Sequence, residues 1–217
     1  METFYPNILA ILETLLFSTA LMTGLSSRKD QLVWIYVFQS LAVALILVVI
    51  EWRDHSFVLL AIVATTVIIK CIVTPRILLR LIRKHQLIFS APAYINTPSV
   101  LLLTLLLVVA VKMMLAPLFM HIVPEEGLLY LAISAFFVSL LAAVNRKGAF
   151  SQIIAVLSAE NCLVSIAALM SIQTQLWLEL GILGDIFTWM LIVSTFVSIV
   201  SKHFGTTDIS EMRELAE

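Results

Sequence analysis

The sequence has little charge, little cysteine and few helix-breaking residues. Only 12% of its 217 residues are charged and 61% are hydrophobic, whereas a soluble domain is about one quarter charged. A net charge of −1 leaves no basic field for nucleic acid. The two cysteines, Cys71 and Cys162, lie in apolar runs without C-x-x-C spacing, so neither a disulfide framework nor a cysteine metal site is indicated. The mean hydropathy of +1.08 excludes an ordinary soluble enzyme and indicates an integral membrane protein.

The apolar residues are grouped into runs long enough to cross a bilayer as helices. A transmembrane helix needs about 20 mostly apolar residues, and strands of a membrane barrel would instead alternate with a period of two. The runs are continuous, which predicts an all-α membrane protein with about seven transmembrane helices. The predicted spans are Asn7–Leu25, Gln31–Ile50, Phe57–Leu79, Ser99–His121, Gly127–Val144, Phe150–Ile172 and Gln175–Lys202.

The distribution of Lys and Arg predicts the orientation of these spans. Inner loops of membrane proteins are enriched in Lys and Arg. With the N-terminus outside and the C-terminus inside, the outer loops hold Arg53 alone. The inner loops then hold Arg28, Lys29, Arg76, Arg80, Arg83, Lys84, Arg146, Lys147, Lys202 and Arg213. We therefore expect an odd number of spans, a cytoplasmic tail at 204–217, and no cleavable signal, since no basic segment precedes the first apolar run.

Two predicted spans repeat a lysine followed by a proline five residues later. Lys70 precedes Pro75 in the third span, and Lys112 precedes Pro117 in the fourth. Each proline lacks an N–H and leaves the carbonyl four residues earlier without its helical donor. Each lysine is therefore expected beside a kinked, locally polar piece of backbone.

Acidic residues also lie within the spans, at a cost of at least about 2.5 kcal/mol each at mid-bilayer. Glu160 and Asp185 are each roughly 15 Å from one end of their spans, so both are expected near the midplane. Glu179 is closer to the outer boundary, and Glu13 lies in the first span. The sequence predicts a proton-transfer set of Glu160, Asp185, Glu179, Lys70 and Lys112.

The surroundings of Glu160 are polar at helical spacing. Ser158, Asn161 and Ser165 recur at intervals of three and four residues on the same span. This pattern suits a hydrogen-bonded or hydrated site. The alternative is structural: a buried Glu or Lys can lock helices together through one ion pair. For Glu13 the two interpretations are evenly balanced.

The C-terminal half resembles a known family. The segments that carry the resemblance are Asn145-Arg146-Lys147, Gln152-Ile153, Ala159-Glu160-Asn161, Glu179-Leu180-Gly181-Ile182, Asp185-Ile186-Phe187, Phe204-Gly205-Thr206 and Asp208. They are similar to hydrogenase-4 component E, a membrane subunit of group 4 nickel–iron hydrogenase and formate hydrogenlyase complexes. Lys70 and Pro75 also match a lysine and a proline in that family's third helix.

The last ~90 residues are similar to the K-type subunit of respiratory complex I and the C-type subunit of multi-subunit Na+/H+ antiporters. In those subunits two helices each carry a glutamate implicated in proton transfer, and Glu160 and Asp185 take the two places here. The second acid is an Asp, and Glu160 lies about one helical turn further along than in the complex I subunit. This resemblance divides the chain into an N-terminal four-helix region at 1–121 and a K-type-like three-helix region at 122–203.

The resemblance implies a non-catalytic subunit that binds no cofactor and no metal. Its expected partners are antiporter-like subunits and the membrane-anchor subunit, with soluble nickel–iron and iron–sulfur subunits reached indirectly. Its expected location is a prokaryotic inner membrane. Two alternatives remain open: a stand-alone secondary transporter whose broken helices bind substrate, and a structural scaffold whose charges only fix helix packing.

Overall fold

The structure is a computed structural model, and it describes residues 4–54, 64, 67–84, 93–119 and 126–171. These residues are almost entirely helical. A π-helical segment, Val67–Val73, leads directly into α3. The α-helices are α1 (Phe4–Leu25), α2 (Lys29–Asp54), α3 (Thr74–Lys84), α4 (Thr97–Phe119), α5 (Glu126–Asn145) and α6 (Ala149–Ser171).

Five of the described helices are long and apolar enough to cross a membrane. Their spans are Pro6–Leu25, Lys29–Ile50, Thr97–Pro117, Gly127–Asn145 and Phe150–Met170. Each corresponds within about four residues to a span predicted from hydropathy. The predicted third span is described only from residue 67, and the predicted seventh, with the tail, lies outside the described residues. The five spans confirm a multi-helix membrane protein.

α6 is the central helix of the bundle. It packs against α5, α2 and α1, and 72% of its apolar stretch is buried, against 17% for the peripheral α4. One core cluster unites α1, α2, α5 and α6, and a second unites α2, α3 and α6. Small residues line the interface of α5 and α6, namely Ala132, Ala135, Ser139, Ser158 and Ala168. Such residues let membrane helices approach closely, because lipid supplies no hydrophobic drive between them.

Two turns that carry basic residues meet at one end of the bundle, which we call the basic end. The α1–α2 turn holds Arg28, and the α5–α6 turn holds Arg146 and Lys147. Arg146 is buried and its Nη2 donates to the carbonyls of Thr23, Gly24 and Ser26 at 2.6, 3.0 and 2.6 Å. It therefore caps the C-terminus of α1, where helical carbonyls have no intrahelical partner.

The segment before α4 is held to the same end by Asn145. The backbone N–H of Tyr94 donates to the Asn145 carbonyl at 2.9 Å, and the N–H of Ile95 donates to its Oδ1 at 2.8 Å. Lys147 lies 5.1 Å from the centroid of the Tyr94 ring. The residues assigned to inner loops from sequence thus include groups that join helices, beyond any role in orientation.

Candidate functional site

A lysine and a glutamate form an ion pair inside the bundle. Nζ of Lys70 donates to Oε1 of Glu160, and both side chains are buried. Nζ of Lys70 also donates to Oδ1 of Asn161 at 3.2 Å. Glu160 is ten residues from each end of the span Phe150–Met170, so the pair lies about 15 Å from either boundary of that span. Two of the predicted proton-transfer residues are therefore in direct contact near the midplane.

The π-helical segment presents Lys70 to the core and its aliphatic residues to the outside. Lys70 is 2% exposed, whereas Ile68 and Ile72 are 54% and 40% exposed. The segment ends at Val73, immediately before Thr74 and Pro75. A π-helical turn holds one more residue than an α-helical turn and occurs mostly at functional sites. The Lys-Pro pattern predicts a kink here, and the structure has a π-helical segment at this position.

Asn161 extends the ion pair to the second helix. Its Nδ2 donates to Oγ of Ser40 on α2 at 3.0 Å, while its Oδ1 receives the bond from Lys70. Both polar ends of this amide are thus used, which fixes its orientation between the two neighbours. The Asn161 side chain joins the π-helical segment, α6 and α2 through one buried group.

A second set of polar contacts surrounds Ser158, two residues before Glu160 on α6. The hydroxyl of Ser139 on α5 lies 2.9 Å from that of Ser158. Nε2 of Gln39 on α2 donates to the Ser158 carbonyl at 3.4 Å and lies 3.6 Å from Sγ of Cys162. All four side chains are buried. These neutral groups bind α2 and α5 to α6 beside the ion pair.

A second buried carboxyl group, Glu13 on α1, lies further along α6. Its Oε1 accepts a hydrogen bond from the hydroxyl of Ser165, and the Glu13 side chain is fully buried. Its Oε2 has no hydrogen-bond partner within the described part of the chain. Ser165 is one helical turn from Asn161 on the same face of α6, so the Glu13–Ser165 contact lies one turn along this helix from the Lys70–Asn161 contact. Glu13 is thereby the second acid of the site.

The buried polar chain, as we name it, consists of Glu13, Ser40, Lys70, Glu160, Asn161 and Ser165. Its carboxyl groups can bind and release protons, and its serine hydroxyls can both donate and accept hydrogen bonds. Burial makes each charge costly unless it is paired or neutralised. The chain therefore has the components of a proton relay and equally the components of a strong helix lock.

The other predicted site residues are not part of this chain in the described structure. Lys112 is exposed on the outer side of α4, and Pro117 is contained within α4, which continues to Phe119. Beside Lys112, where the Lys-Pro pattern predicts a kink, the described backbone is assigned as one α-helix that includes Pro117. Asp185 and Glu179 lie outside the described residues.

The sequence pattern found only part of the chain. Ser158, Asn161 and Ser165 do make buried hydrogen bonds, as their spacing predicts. The sequence pattern did not identify Gln39, Ser40 and Ser139. A polar residue without others at helical spacing does not show which side of its helix faces the core. The depth of Glu13 did give an indication. Glu13 is seven residues from Pro6, at the start of its span, and Ser165 is five residues from Met170, at the end of an antiparallel span. The two residues are therefore at similar depths.

The described residues contain no group of three or more His, Cys, Asp or Glu side chains that could hold a metal ion. At the basic end, outside the spans, burial lowers the pKa of the Arg146 guanidinium, which remains a cation because arginine is not deprotonated in proteins. Its positive charge is directed at carbonyl dipoles of α1. Arg146 is therefore a structural cap, and the buried carboxyl groups among the described residues are those of the buried polar chain.

Comparison with known proteins gives one distant similarity. The chain is 25% identical over 197 residues to "Uncharacterized protein Rv0085" of Mycobacterium tuberculosis (strain ATCC 25618 / H37Rv), and the match covers 88% of each chain. No family model matches the sequence. No solved structure matches it. The similarity extends across nearly the whole length of both chains.

Proposed function

We propose that this chain is a non-catalytic membrane subunit of a complex I-like, energy-converting hydrogenase assembly, in which its buried charges contribute to proton or ion translocation. The observation that carries the proposal is the buried polar chain, which comprises the contacts of Lys70 with Glu160 and Asn161 and, one turn further along α6, the contact of Ser165 with Glu13. The segments similar to hydrogenase-4 component E add support, because Glu160 occupies the place of a proton-transferring glutamate in the related subunits.

The charge count of the buried polar chain favours proton handling. Among the described side chains it holds two carboxyl groups, Glu13 and Glu160, and one ammonium group, Lys70. If all three groups were ionised, the buried polar chain would have a net charge of −1. Because a buried net charge is costly, the neutral state is favoured, and it holds one additional proton. That proton is the species that a relay would pass along the chain.

In this proposal the chain has seven spans with its N-terminus outside, and its basic end faces the cytoplasm of a prokaryotic cell. The chain itself is not an enzyme and holds no cofactor. It lies between the membrane-anchor subunit and antiporter-like subunits, and its contact with soluble nickel–iron and iron–sulfur subunits is indirect. Asp185 and Glu179 would continue the line of charges toward the next subunit.

Two other functions make different predictions. A stand-alone transporter is favoured by the interrupted helix at Lys70, since broken helices near the midplane bind substrate in transporters. A scaffold is favoured by the direct contact of Lys70 with Glu160, which would hold two helices together without any proton movement. The scaffold interpretation predicts that neutralising this pair without unfolding the bundle leaves energy conversion intact.

The first test is to tag the C-terminus, extract the membranes with a mild detergent, and identify the proteins that copurify. A complex with antiporter-like and hydrogenase-like chains supports the proposal. A monomer or homo-oligomer refutes it, and transport by the isolated protein in proteoliposomes would then be measured.

The second test separates a relay from a scaffold within the purified complex. The double variant Lys70→Met/Glu160→Gln removes both charges while retaining similar side-chain volumes, and Ser139→Ala serves as the control, since it removes a buried hydroxyl without changing charge. A relay predicts a complete complex with impaired proton translocation for the double variant and normal translocation for the control. Normal translocation in both variants would support a scaffold.

A further inference from the structure

Lys112 differs from the other ionisable side chains within the described spans. Glu13, Lys70 and Glu160 are buried in the bundle, whereas Lys112 is exposed. It forms no ion pair with any described residue. Its position is 15 residues from Thr97 and five from Pro117, about 22 Å and 7 Å from the two ends of the span. A cation is thus directed away from the chain at membrane depth.

The direction of α4 hinders the Lys112 ammonium from reaching water. The nearer end of the span is at the C-terminal end of α4, but side chains of a helix point toward its N-terminus. The favoured rotamers of Lys112 therefore carry its ammonium deeper into the span, away from the nearer boundary. An isolated α4 in lipid would leave this charge without a counter-ion.

The surface around Lys112 has the composition of a helix-binding face. Leu102, Leu105, Val109, Lys112 and Met113 share one side of α4 at intervals of three or four residues. The four apolar residues are 48–74% exposed. We call this set the Lys112 face. Methionine is flexible and adapts its shape to a neighbour, and for this reason is common at binding surfaces.

The opposite side of α4 is the one that contacts this chain. Val100, Thr104 and Val111 are buried there, where α4 packs against α5 and α1. The Lys112 face is thus on a different side of α4 from its packing contacts with the described helices. The side chains of α4 divide into an inner stripe without charge and an outer stripe with a single cation.

We propose that the Lys112 face binds a transmembrane helix of a partner subunit that carries an Asp or Glu at the level of Lys112. The charge of Lys112 calls for a carboxylate, and the apolar residues on either side call for a helix within the hydrocarbon region. This inference rests on the part of the proposed function that makes the chain a subunit of a larger membrane assembly.

The test is photo-crosslinking in intact membranes, with p-benzoylphenylalanine at position 113 and the tag at the C-terminus. The same probe at position 11 is the control, because Ile11 is similarly exposed on α1. We expect probe 113 to give at least tenfold more crosslinked heterodimer than probe 11, and the crosslinked peptide to be a transmembrane segment with an Asp or Glu. Crosslinks to lipid alone, or to a second copy of this chain, would overturn the inference.

A charge exchange identifies the contact itself. Lys112→Glu is expected to lower the yield of the crosslinked pair at least tenfold, and Asp→Lys or Glu→Lys at the partner position is expected to restore it. Lys112→Arg should retain the yield. Unchanged yield with Lys112→Glu refutes the carboxylate contact even when a hydrogenase-like complex copurifies. Absence of such a complex, together with an acidic partner helix on the Lys112 face, refutes the hydrogenase assignment and leaves this interface standing.

Discussion

Removing one member of the Lys70–Glu160 pair should destabilise the isolated protein far more than removing both. Lys70→Met leaves the Glu160 carboxylate buried without its ammonium partner, and Glu160→Gln leaves the Lys70 ammonium without its carboxylate. Breaking a buried pair in this way costs about 3–5 kcal/mol. Both groups are at most 3% exposed, so solvent screens the interaction little.

The double variant replaces the pair by uncharged groups of similar volume, an exchange that is often neutral. The remaining loss is the bond from Lys70 to Asn161, because the Asn161 oxygen then lacks that donor; an unsatisfied buried acceptor costs about 1–3 kcal/mol. Two single variants at about 3 kcal/mol or more and a double variant at about 1–3 kcal/mol give an interaction free energy of at least about 3 kcal/mol.

The assay is a double-mutant cycle on unfolding in mixed micelles, with the sodium dodecyl sulfate fraction as denaturant and helix content followed by circular dichroism. Lys112→Met is the matched control, since it removes an exposed mid-span lysine, and it should change the free energy of unfolding by less than about 0.5 kcal/mol. If the effects of Lys70→Met and Glu160→Gln add within about 0.5 kcal/mol, the two groups do not interact and the described geometry is wrong.

Three further substitutions address other contacts of the bundle. Arg146→Ala removes the donor to three carbonyls at the C-terminal end of α1 and should lower the free energy of unfolding by about 2 kcal/mol or more. The control is Arg80→Ala, on the exposed side of α3, which should change the free energy of unfolding by less than about 0.5 kcal/mol. Equal effects of the two substitutions would contradict the role of Arg146 as a cap. Asn161→Leu leaves Lys70 and Ser40 without an amide partner, so we expect a loss of about 2 kcal/mol in the same micelle assay, and a neutral result would remove Asn161 from the buried polar chain. Glu13→Gln retains a group that can accept from Ser165 and should unfold within about 1 kcal/mol of the parent, yet translocation by the purified complex should fall; unchanged translocation would exclude Glu13 as a proton carrier.

Hydropathy predicted the limits of the five described spans to within about four residues, because a bilayer imposes a similar length on every crossing helix. It also gave depth, since each residue adds about 1.5 Å along the axis. Glu160 near the midplane is an example. Depth alone does not give rotation, because in lipid both the inner and the outer side of a helix are apolar. The contact of Lys70 with Glu160, 90 residues apart in sequence, therefore required the packed structure.

The Lys-Pro pattern shows how the same local sequence acquires two structures. Lys70 and Lys112 each precede a proline by five residues, but a π-helical segment surrounds the first and a regular helix the second. The first proline lies at the start of α3, directly after the π-helical segment, whereas the second lies inside α4. Tertiary packing then buries Lys70 against α6 and leaves Lys112 outside.

These two lysines give the chain one charge contact inside and one outward charge at membrane depth. The side chains of the inner contact would both stabilise the bundle and transfer protons. A single substitution at Lys70 or Glu160 therefore affects both roles at once. Glu13 does not have this difficulty, because Gln can retain its hydrogen bond to Ser165 while losing the ability to carry a proton. A relay that depends on Glu13 predicts a folded, fully assembled complex that turns over without moving protons. The scaffold interpretation does not predict that combination of results. Substitution of Glu13 therefore distinguishes a proton relay from a scaffold.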